Sequence, residues 1–160
     1  MAYTMKVDGM EEISKQLEEL GNAAPKVAAR ALYEGAGIMA DEIRKAAENI
    51  RTAPFKYTKG GTRLPSPEEK AIVTAAGTGI ARFSKNGTEV DTSVGYRNAG
   101  YAELKGKTKP IPVIVNSINS GTSFMAKQPF VRQAANSGGK KAMDAMRESI
   151  ERDFEEITKK

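Results

Sequence analysis

The chain contains no cysteine and no histidine among its 160 residues. Without cysteine it has no disulfide, no thiol nucleophile and no thiolate metal ligand. Without histidine it lacks the most common general base, the most common metal ligand, and any Ser-His or Cys-His relay. These absences exclude most hydrolase mechanisms and leave only enzymes that depend on carboxylates or lysine.

Large apolar side chains are also scarce. Tryptophan is absent, 39% of residues are hydrophobic and 6% are aromatic. A chain of this length forms one domain, and we expect a modest core of Ala, Val, Ile and Met that partner subunits help to stabilise. No stretch approaches the ~20 apolar residues of a membrane-spanning helix, and the N-terminal MAYTMKVDG lacks the apolar run of a secretory signal. We therefore expect a soluble protein made in a cytoplasm.

Positive charge is concentrated in the middle third of the chain, although the net charge is only +5. Residues 1–50 hold 6 basic and 9 acidic groups (−3), residues 51–110 hold 11 and 5 (+6), and residues 111–160 hold 8 and 6 (+2). A basic excess is typical of proteins that bind nucleic acid. In a chain of this size it also serves solubility, and composition alone favours that second interpretation.

Apolar periodicity predicts two helices in the first 50 residues. After a capping-box pattern, apolar residues recur at helical spacing up to Gly21. This periodicity predicts a helix over about 8–20. A longer helix is predicted over about 23–50, with Pro25 in its first turn and a seam at alternating spacings of four and three. The seam consists of Leu32, Ala36, Met39, Ile43, Ala46 and Ile50. A core helix is favoured over an intersubunit coiled coil.

Two polar segments rich in glycine, proline and lysine are predicted to be loops. They cover about 52–70 and 98–110. Such segments bury little apolar surface on their own, so we expect them to be mobile in an isolated subunit and ordered in an assembly.

The centre of the chain has the pattern of β-strands. Asn86-Gly87 is the strongest hairpin signal, because this dipeptide suits a two-residue turn. Strands are predicted at about 80–83, 90–96 and 111–116, with a fourth at 72–74.

The last third returns to helical periodicity. Met143, Met146, Ile150, Phe154 and Ile157 recur at helical spacing. Gly138-Gly139 either separates this helix from a shorter one over 129–136 or lies inside a continuous helix. The predicted fold is one α+β domain over residues 1–160, with N-terminal helices and a C-terminal helix packed on a central antiparallel β-sheet.

Enzyme motifs are present only in fragments. Gly106-Lys107-Thr108 has no glycine at the spacing that a phosphate-binding loop needs, and Gly77-Thr78-Gly79 lacks the third glycine of a dinucleotide site. Neighbouring glutamates on a helix point in different directions, which is typical of a solvated face. We therefore expect no catalytic, cofactor-binding or metal-binding residues, and no enzymatic activity.

Basic residues in the two loops are candidate contacts to DNA. Two aromatic residues, Phe55 and Tyr57, lie among the cations of the first loop, and such mixtures can stack on bases and hold phosphates. Mobile solvated surface is the simpler interpretation. The candidate residues are Arg51, Lys56, Lys59, Arg63, Lys105, Lys107 and Lys109.

Several segments, in this order and spacing, resemble the head–tail joining proteins of long-tailed bacteriophages and prophages, also called neck or tail-completion proteins. The most specific part is Gly121-Thr122-Ser123 followed by Gln128-Pro129-Phe130-Val131-Arg132-Gln133-Ala134. The chain departs from the family pattern at Asn119-Ser120, where family members often carry a Glu and an aromatic residue. The other matching segments are 7–13, 17–20, 31–32, 43–44, 53–54 and 61–64.

The resemblance implies a non-catalytic virion protein of the neck or tail, assembled in the host cytoplasm and needing no cofactor. It implies a homo-oligomeric ring, with a hexamer expected, that joins the capsid portal to the tail and binds other neck and tail proteins. Genomic DNA would pass through the lumen without sequence-specific binding, and no membrane would be involved. Candidate interface residues are Ala36, Met39, Ile43, Pro129, Phe130 and Arg132. The alternative is a stand-alone basic nucleic-acid-binding module, whose affinity would fall steeply with salt.

Overall fold

The computed structural model describes residues 10–54, 61–82, 84–86 and 89–159. Within these ranges the chain mixes helices with short antiparallel strands, which confirms the α+β class in its general form. The helices are α1 Met10–Glu48, α2 Pro67–Ala76, α3 Ile111–Ser120 and α4 Phe130–Thr158. The strands are β1 Gly79–Ile80, β2 Ser84–Asn86, β3 Glu89–Asp91, β4 Val94–Gly95, β5 Tyr101–Leu104 and β6 Lys107–Pro110.

The two N-terminal helices predicted over 8–20 and 23–50 are one continuous helix, α1. Gly21 does not take the left-handed conformation that would end a helix, and a glycine inside a helix costs only about 1 kcal/mol. Pro25 therefore lies well inside α1 and not in a first turn. Good helix formers on both sides and the packing of the later part of α1 on α4 outweigh these two residues.

The long helices α1 and α4 lie antiparallel and pack closely. Arg30 pairs with Asp153 near one end of the contact, and the Ser137 hydroxyl donates to Glu42 near the other. A Cβ on Gly138 would lie 2.8 Å from Cγ of Glu42, and a Cβ on Gly35 would collide with the side chain of Met146. Each of these glycines thus faces a long side chain of the other helix, which occupies the space that a Cβ would fill. Gly138-Gly139 lies within one continuous helix.

The hydrophobic core lies beyond this helix pair, where the C-terminal part of α1 meets α2, α3, β5 and the start of α4. Residues 111–116, predicted as a strand, belong to α3, because Ile111, Ile114, Val115 and Ile118 are all buried at helical spacing. Residues 72–74, also predicted as a strand, belong to α2. The full core cluster is Ile43, Ala47, Ile50, Val73, Tyr96, Leu104, Ile111, Ile114, Val115, Ile118, Met125, Phe130 and Ala134.

The described strands form three separate antiparallel pairs, β1 with β4, β2 with β3 and β5 with β6, in place of the single central sheet predicted. The hairpin predicted at Asn86-Gly87 is confirmed, since β2 and β3 pair with Asn86 opposite Glu89. The long strand predicted over 90–96 is divided into β3 and β4. Short paired ribbons suffice because helices supply most of the core.

Both predicted loops contain regular structure. Residues 101–110 form the β5–β6 hairpin, whose turn residues Lys105 and Gly106 have φ angles of 54° and 70°. Positive φ at both positions suits a tight two-residue hairpin turn. The other predicted loop, 52–70, ends at Ser66, because a capping box formed by Ser66 and Glu69 begins α2.

Candidate functional site

The stretch that carries the family resemblance forms the connection between α3 and α4. Gly121 ends α3 with a φ of 77°, and a Cβ there would lie 3.1 Å from the backbone N and Cα of Lys127. The next residue, Thr122, exchanges backbone hydrogen bonds with Met125, and its hydroxyl also accepts from the Met125 N–H. The turn is therefore compact and requires glycine at its first position.

Hydrogen bonds fix this connection to α1 and α3. The backbone N–H of Arg51 donates to Oε1 of Gln128 at 2.9 Å, and Nε2 of Gln128 donates back to the Arg51 carbonyl at 2.9 Å. The Gln128 N–H donates to the carbonyl of Ile118. The side chain of Asn119 accepts from the Val131 N–H in the first turn of α4. Asn119, where the family pattern often has Glu, thus satisfies one of the free N–H groups at a helix start.

Phe130 anchors the start of α4 in the core. Its side chain is buried and packs edge-to-face on Tyr96, with ring centroids 6.3 Å apart and an interplanar angle of 71°. Such contacts add about 0.5–1.5 kcal/mol beyond the burial of apolar area. Burial raises the pKa of the Tyr96 hydroxyl, and the positive charge of Arg44 partly offsets this increase.

Arg63, predicted to face DNA, is an internal structural residue. Its guanidinium makes two hydrogen bonds to the Glu69 carboxylate, at 2.7 and 2.6 Å, and the two side chains are only 9% and 7% exposed. Its backbone pairs with the turn after α3, donating to Phe124 and accepting from Ala126. The prediction of a DNA-facing Arg63 is wrong, because its guanidinium is buried and forms an ion pair with the carboxylate of Glu69.

Glu69 is held in its ionised form. Burial by itself would raise the pKa of Glu69, but the hydrogen bonds and charge of Arg63 and the N–H of Ser66 outweigh it, so that the pKa is lowered. Each oxygen accepts from Arg63, and Oε2 also accepts from the Ser66 backbone. The ion pair therefore joins the segment after residue 61 to the start of α2.

The predicted interface residues divide into buried and accessible ones. Ala36, Ile43 and Phe130 are buried by this chain's own elements and form core in this conformation. Met39 and Pro129 are half-buried, and Met39 lies against Gly138 of α4. Of these residues only Arg132, in the first turn of α4, is exposed. The face of α1 that was expected to meet a neighbour is thus largely occupied by α4.

The other predicted DNA contacts lie at two exposed places. Arg51 follows α1, and Lys105, Lys107 and Lys109 belong to the β5–β6 hairpin. Lys107 stands opposite Leu104 and Lys109 opposite Ala102, so both lysines share the hairpin face that packs on the core and project at its rim. Lys56 and Lys59 lie outside the described residues.

An apolar patch beside this hairpin was not predicted from the sequence. Val113 of α3 is 55% exposed and Phe124 is 50% exposed. Both line a cavity of about 80 Å³ together with Lys109 and Ser117. We call Val113, Phe124, Lys107 and Lys109 the hairpin patch. Val113 would have been found by recognising the helical period of α3, whereas the exposure of Phe124 has no periodic signal.

A second exposed feature is the N-terminal part of α1. Ala23, Lys26 and Val27 lie against Glu156 and Ile157 near the end of α4. The 13 residues Met10–Asn22 therefore extend beyond α4 by about 20 Å, at 1.5 Å per residue. We call this segment the α1 overhang. Its described side chains are exposed except for Leu20, which is half-buried, and Leu17 is 64% exposed.

Some of the other charged groups on the described surface pair between the helices α1 and α4. Glu34 accepts from Arg152 at 2.7 Å, and Glu42 accepts from Lys141 at 3.2 Å. The hydrogen bond from Lys141 lowers the pKa of Glu42 in spite of its partial desolvation, with Lys45 adding to the effect. Within the described ranges, no group of three or more acidic side chains is placed to hold a metal ion. None of the described helices is long and apolar enough to span a membrane.

Comparison of the chain with protein families, with curated proteins and with solved structures gives no match.

Proposed function

We propose that this chain is a non-catalytic structural protein of the bacteriophage neck, which assembles as a ring joining the capsid portal to the tail. The observation that carries the proposal is the stretch Gly121–Ala134, whose sequence resembles the head–tail joining proteins. In the fold, this stretch builds one corner that ties α1, α3 and α4 together. The motif residues therefore act on architecture, as expected of a subunit whose work is assembly.

The surfaces left free by this corner support the same proposal. Gln128 and Phe130 are used internally, whereas Phe124 and Arg132 remain accessible at its edges. Aromatic and arginine side chains are the residues most enriched where proteins contact each other. An exposed phenylalanine beside cations is thus better suited to a protein neighbour than to solvent.

The assembly proposed is a closed ring of identical subunits, with six as the expected number. A ring forms from head-to-tail contacts, in which one patch of each subunit meets a different patch of the next. The chain offers separate candidates for the two patches, since the α1 overhang and the hairpin patch belong to different parts of the fold. Other neck and tail proteins would bind the two open faces of the ring.

Exposed cations are candidate contacts to the DNA that would pass through the proposed ring. Arg51, Lys105, Lys107 and Lys109 remain candidates for the lumen or rim, as do Lys56 and Lys59 outside the described residues, and Arg63 is removed from that set. A conduit must release its cargo, so binding to free DNA should be weak, independent of sequence and strongly reduced by salt. Tight, selective binding at physiological salt would instead favour the stand-alone nucleic-acid-binding module.

Electron microscopy and native mass spectrometry of the purified chain test the proposal directly. We expect ring-shaped particles of one defined subunit number at high protein concentration. Deletion of the gene from its phage should leave heads and tails that fail to join. Virions that join normally without the gene would refute the function, whatever the oligomeric state.

A further inference from the structure

We propose that the α1 overhang of one subunit docks on the hairpin patch of the next copy of this chain. This inference rests on the proposed ring and names the two surfaces that would close it. The overhang is the donor element and the hairpin patch is the receptor. The two surfaces lie on different elements, as a head-to-tail contact requires.

Charge complementarity favours the α1 overhang of a second copy as the partner of the hairpin patch. The overhang, Met10–Asn22, holds four glutamates and one lysine, a net charge of −3. The β5–β6 hairpin, Tyr101–Pro110, holds three lysines and one glutamate, a net charge of +2. Glu18 and Glu19 are exposed on the first surface, and Lys107 and Lys109 are exposed on the second. Opposite potentials orient the encounter of two surfaces and disfavour wrong pairings.

Both charged surfaces also carry exposed apolar side chains. Leu17 is 64% exposed within the acidic overhang, and Phe124 and Val113 are 50% and 55% exposed beside the lysines. Exposed ion pairs contribute little net free energy, so burial of these side chains would supply most of the affinity. The cavity between Phe124, Val113 and Lys109 gives an apolar side chain a place to enter.

The shape of the overhang also suits a contact with another copy. The overhang projects about 20 Å past α4 and leaves Leu17 exposed, although Leu20, nearer to the body of the subunit, is half-buried. Docking of an amphipathic helix through its apolar residues into a groove is a common mode of recognition. A second copy supplies both the helix and the groove from one sequence.

Because the chain has no cysteine, disulfide trapping tests the contact without background. The single variants Leu17→Cys and Phe124→Cys are mixed at high concentration and oxidised, so that any mixed disulfide joins two different copies. Such a bond forms only when the two Cα atoms approach within about 7 Å. We expect the mixed dimer to dominate over either homodimer. Met143→Cys, at a position 65% exposed on α4, is the control that should trap little with either partner.

Charge reversal gives an independent test. Glu18→Lys/Glu19→Lys and Lys107→Glu/Lys109→Glu should each weaken self-association roughly three- to tenfold at low salt. A mixture of the two double variants should recover one contact between unlike copies. Leu17→Ser should weaken it roughly tenfold or more. Glu148→Lys/Glu151→Lys, on the exposed surface of α4, should leave it unchanged.

The outcomes separate this contact from the ring itself. Rings that form without the mixed disulfide, and that tolerate both charge reversals, overturn the contact and leave the proposed function standing. A chain that stays monomeric at millimolar concentration and traps no disulfide also overturns the contact, and virion assembly without the gene then decides the function. If Lys107→Glu/Lys109→Glu reduces DNA binding without changing self-association, the hairpin patch serves DNA and the contact is refuted.

Discussion

Replacing Arg63 by alanine should destabilise the fold by about 3 kcal/mol. Removal of one partner from a buried ion pair typically costs about 3–5 kcal/mol, because the other charge is left in a medium that solvates it poorly. Here the Ser66 N–H continues to bind Glu69, which places the expected cost at the lower end. Urea denaturation followed by circular dichroism measures it, and thermal melting should show a loss of roughly 6–12 °C for a chain of this size.

Two comparison variants sharpen this test. Arg44→Ala removes an exposed ion pair with Asp41, whose side chains are 49% and 60% exposed, and should cost less than about 0.5 kcal/mol. The double variant Arg63→Met/Glu69→Leu removes both buried charges and should recover much of the free energy of unfolding that Arg63→Ala loses. The contribution of the capping box would still be missing, because Glu69 is part of it. If Arg63→Ala were as mild as Arg44→Ala, the claim that Arg63 is an internal residue would be refuted.

Three further predictions concern the same region. Gly121→Ala should destabilise the chain by about 1–3 kcal/mol and more than Gly77→Ala, since both glycines have positive φ but only Gly121 faces nearby backbone; equal urea midpoints for the two variants would contradict this. The pKa of Glu69 is lowered in the folded state, so its ionised form stabilises the fold above the unfolded-state pKa of about 4.3. This contribution is lost as the pH falls from that value through the folded-state pKa. The urea midpoint should therefore fall less steeply between pH 6 and pH 3 in Glu69→Gln than in the unaltered chain. Phe130→Ala should cost about 3–5 kcal/mol by chemical denaturation, and a cost near that of a surface residue would mean that Phe130 does not anchor α4.

The sequence predicted best the elements that are long and periodic. The helical character of α1, predicted as two helices, and of the later part of α4 followed from apolar residues at helical spacing, and the β2–β3 hairpin followed from Asn86-Gly87. Their boundaries were harder, because Gly21 and Pro25 weaken a helix without ending it when neighbouring residues favour it. Short apolar runs were ambiguous: residues 111–116 suit a strand or a buried helix equally well by composition.

Other features depended on contacts that only the fold creates. Ser66 and Glu69 form the start signal of α2 and are visible in the sequence as Ser-x-x-Glu before an apolar run. Pro65 and Pro67 on both sides of Ser66 favour a loop and mask this pattern. The burial of Arg63 could not be predicted, since it requires the turn after α3 to pair with Arg63 from 61 residues away. The sequence alone does not indicate whether a given Arg or Lys will form an ion pair with a carboxylate in the fold.

The pairing of α1 with α4 has a consequence for how the chain folds. Arg30 and Asp153 are 123 residues apart, and Glu34 and Arg152 are 118 apart. The long helices can form locally within microseconds, yet their packing must wait until a loop of more than 80 residues between Glu48 and Phe130 has closed. Despite its helical content, the chain thus has the connectivity of a slow folder. During synthesis α1 leaves the ribosome long before its partner helix exists, and its small-residue face stays uncovered throughout that interval.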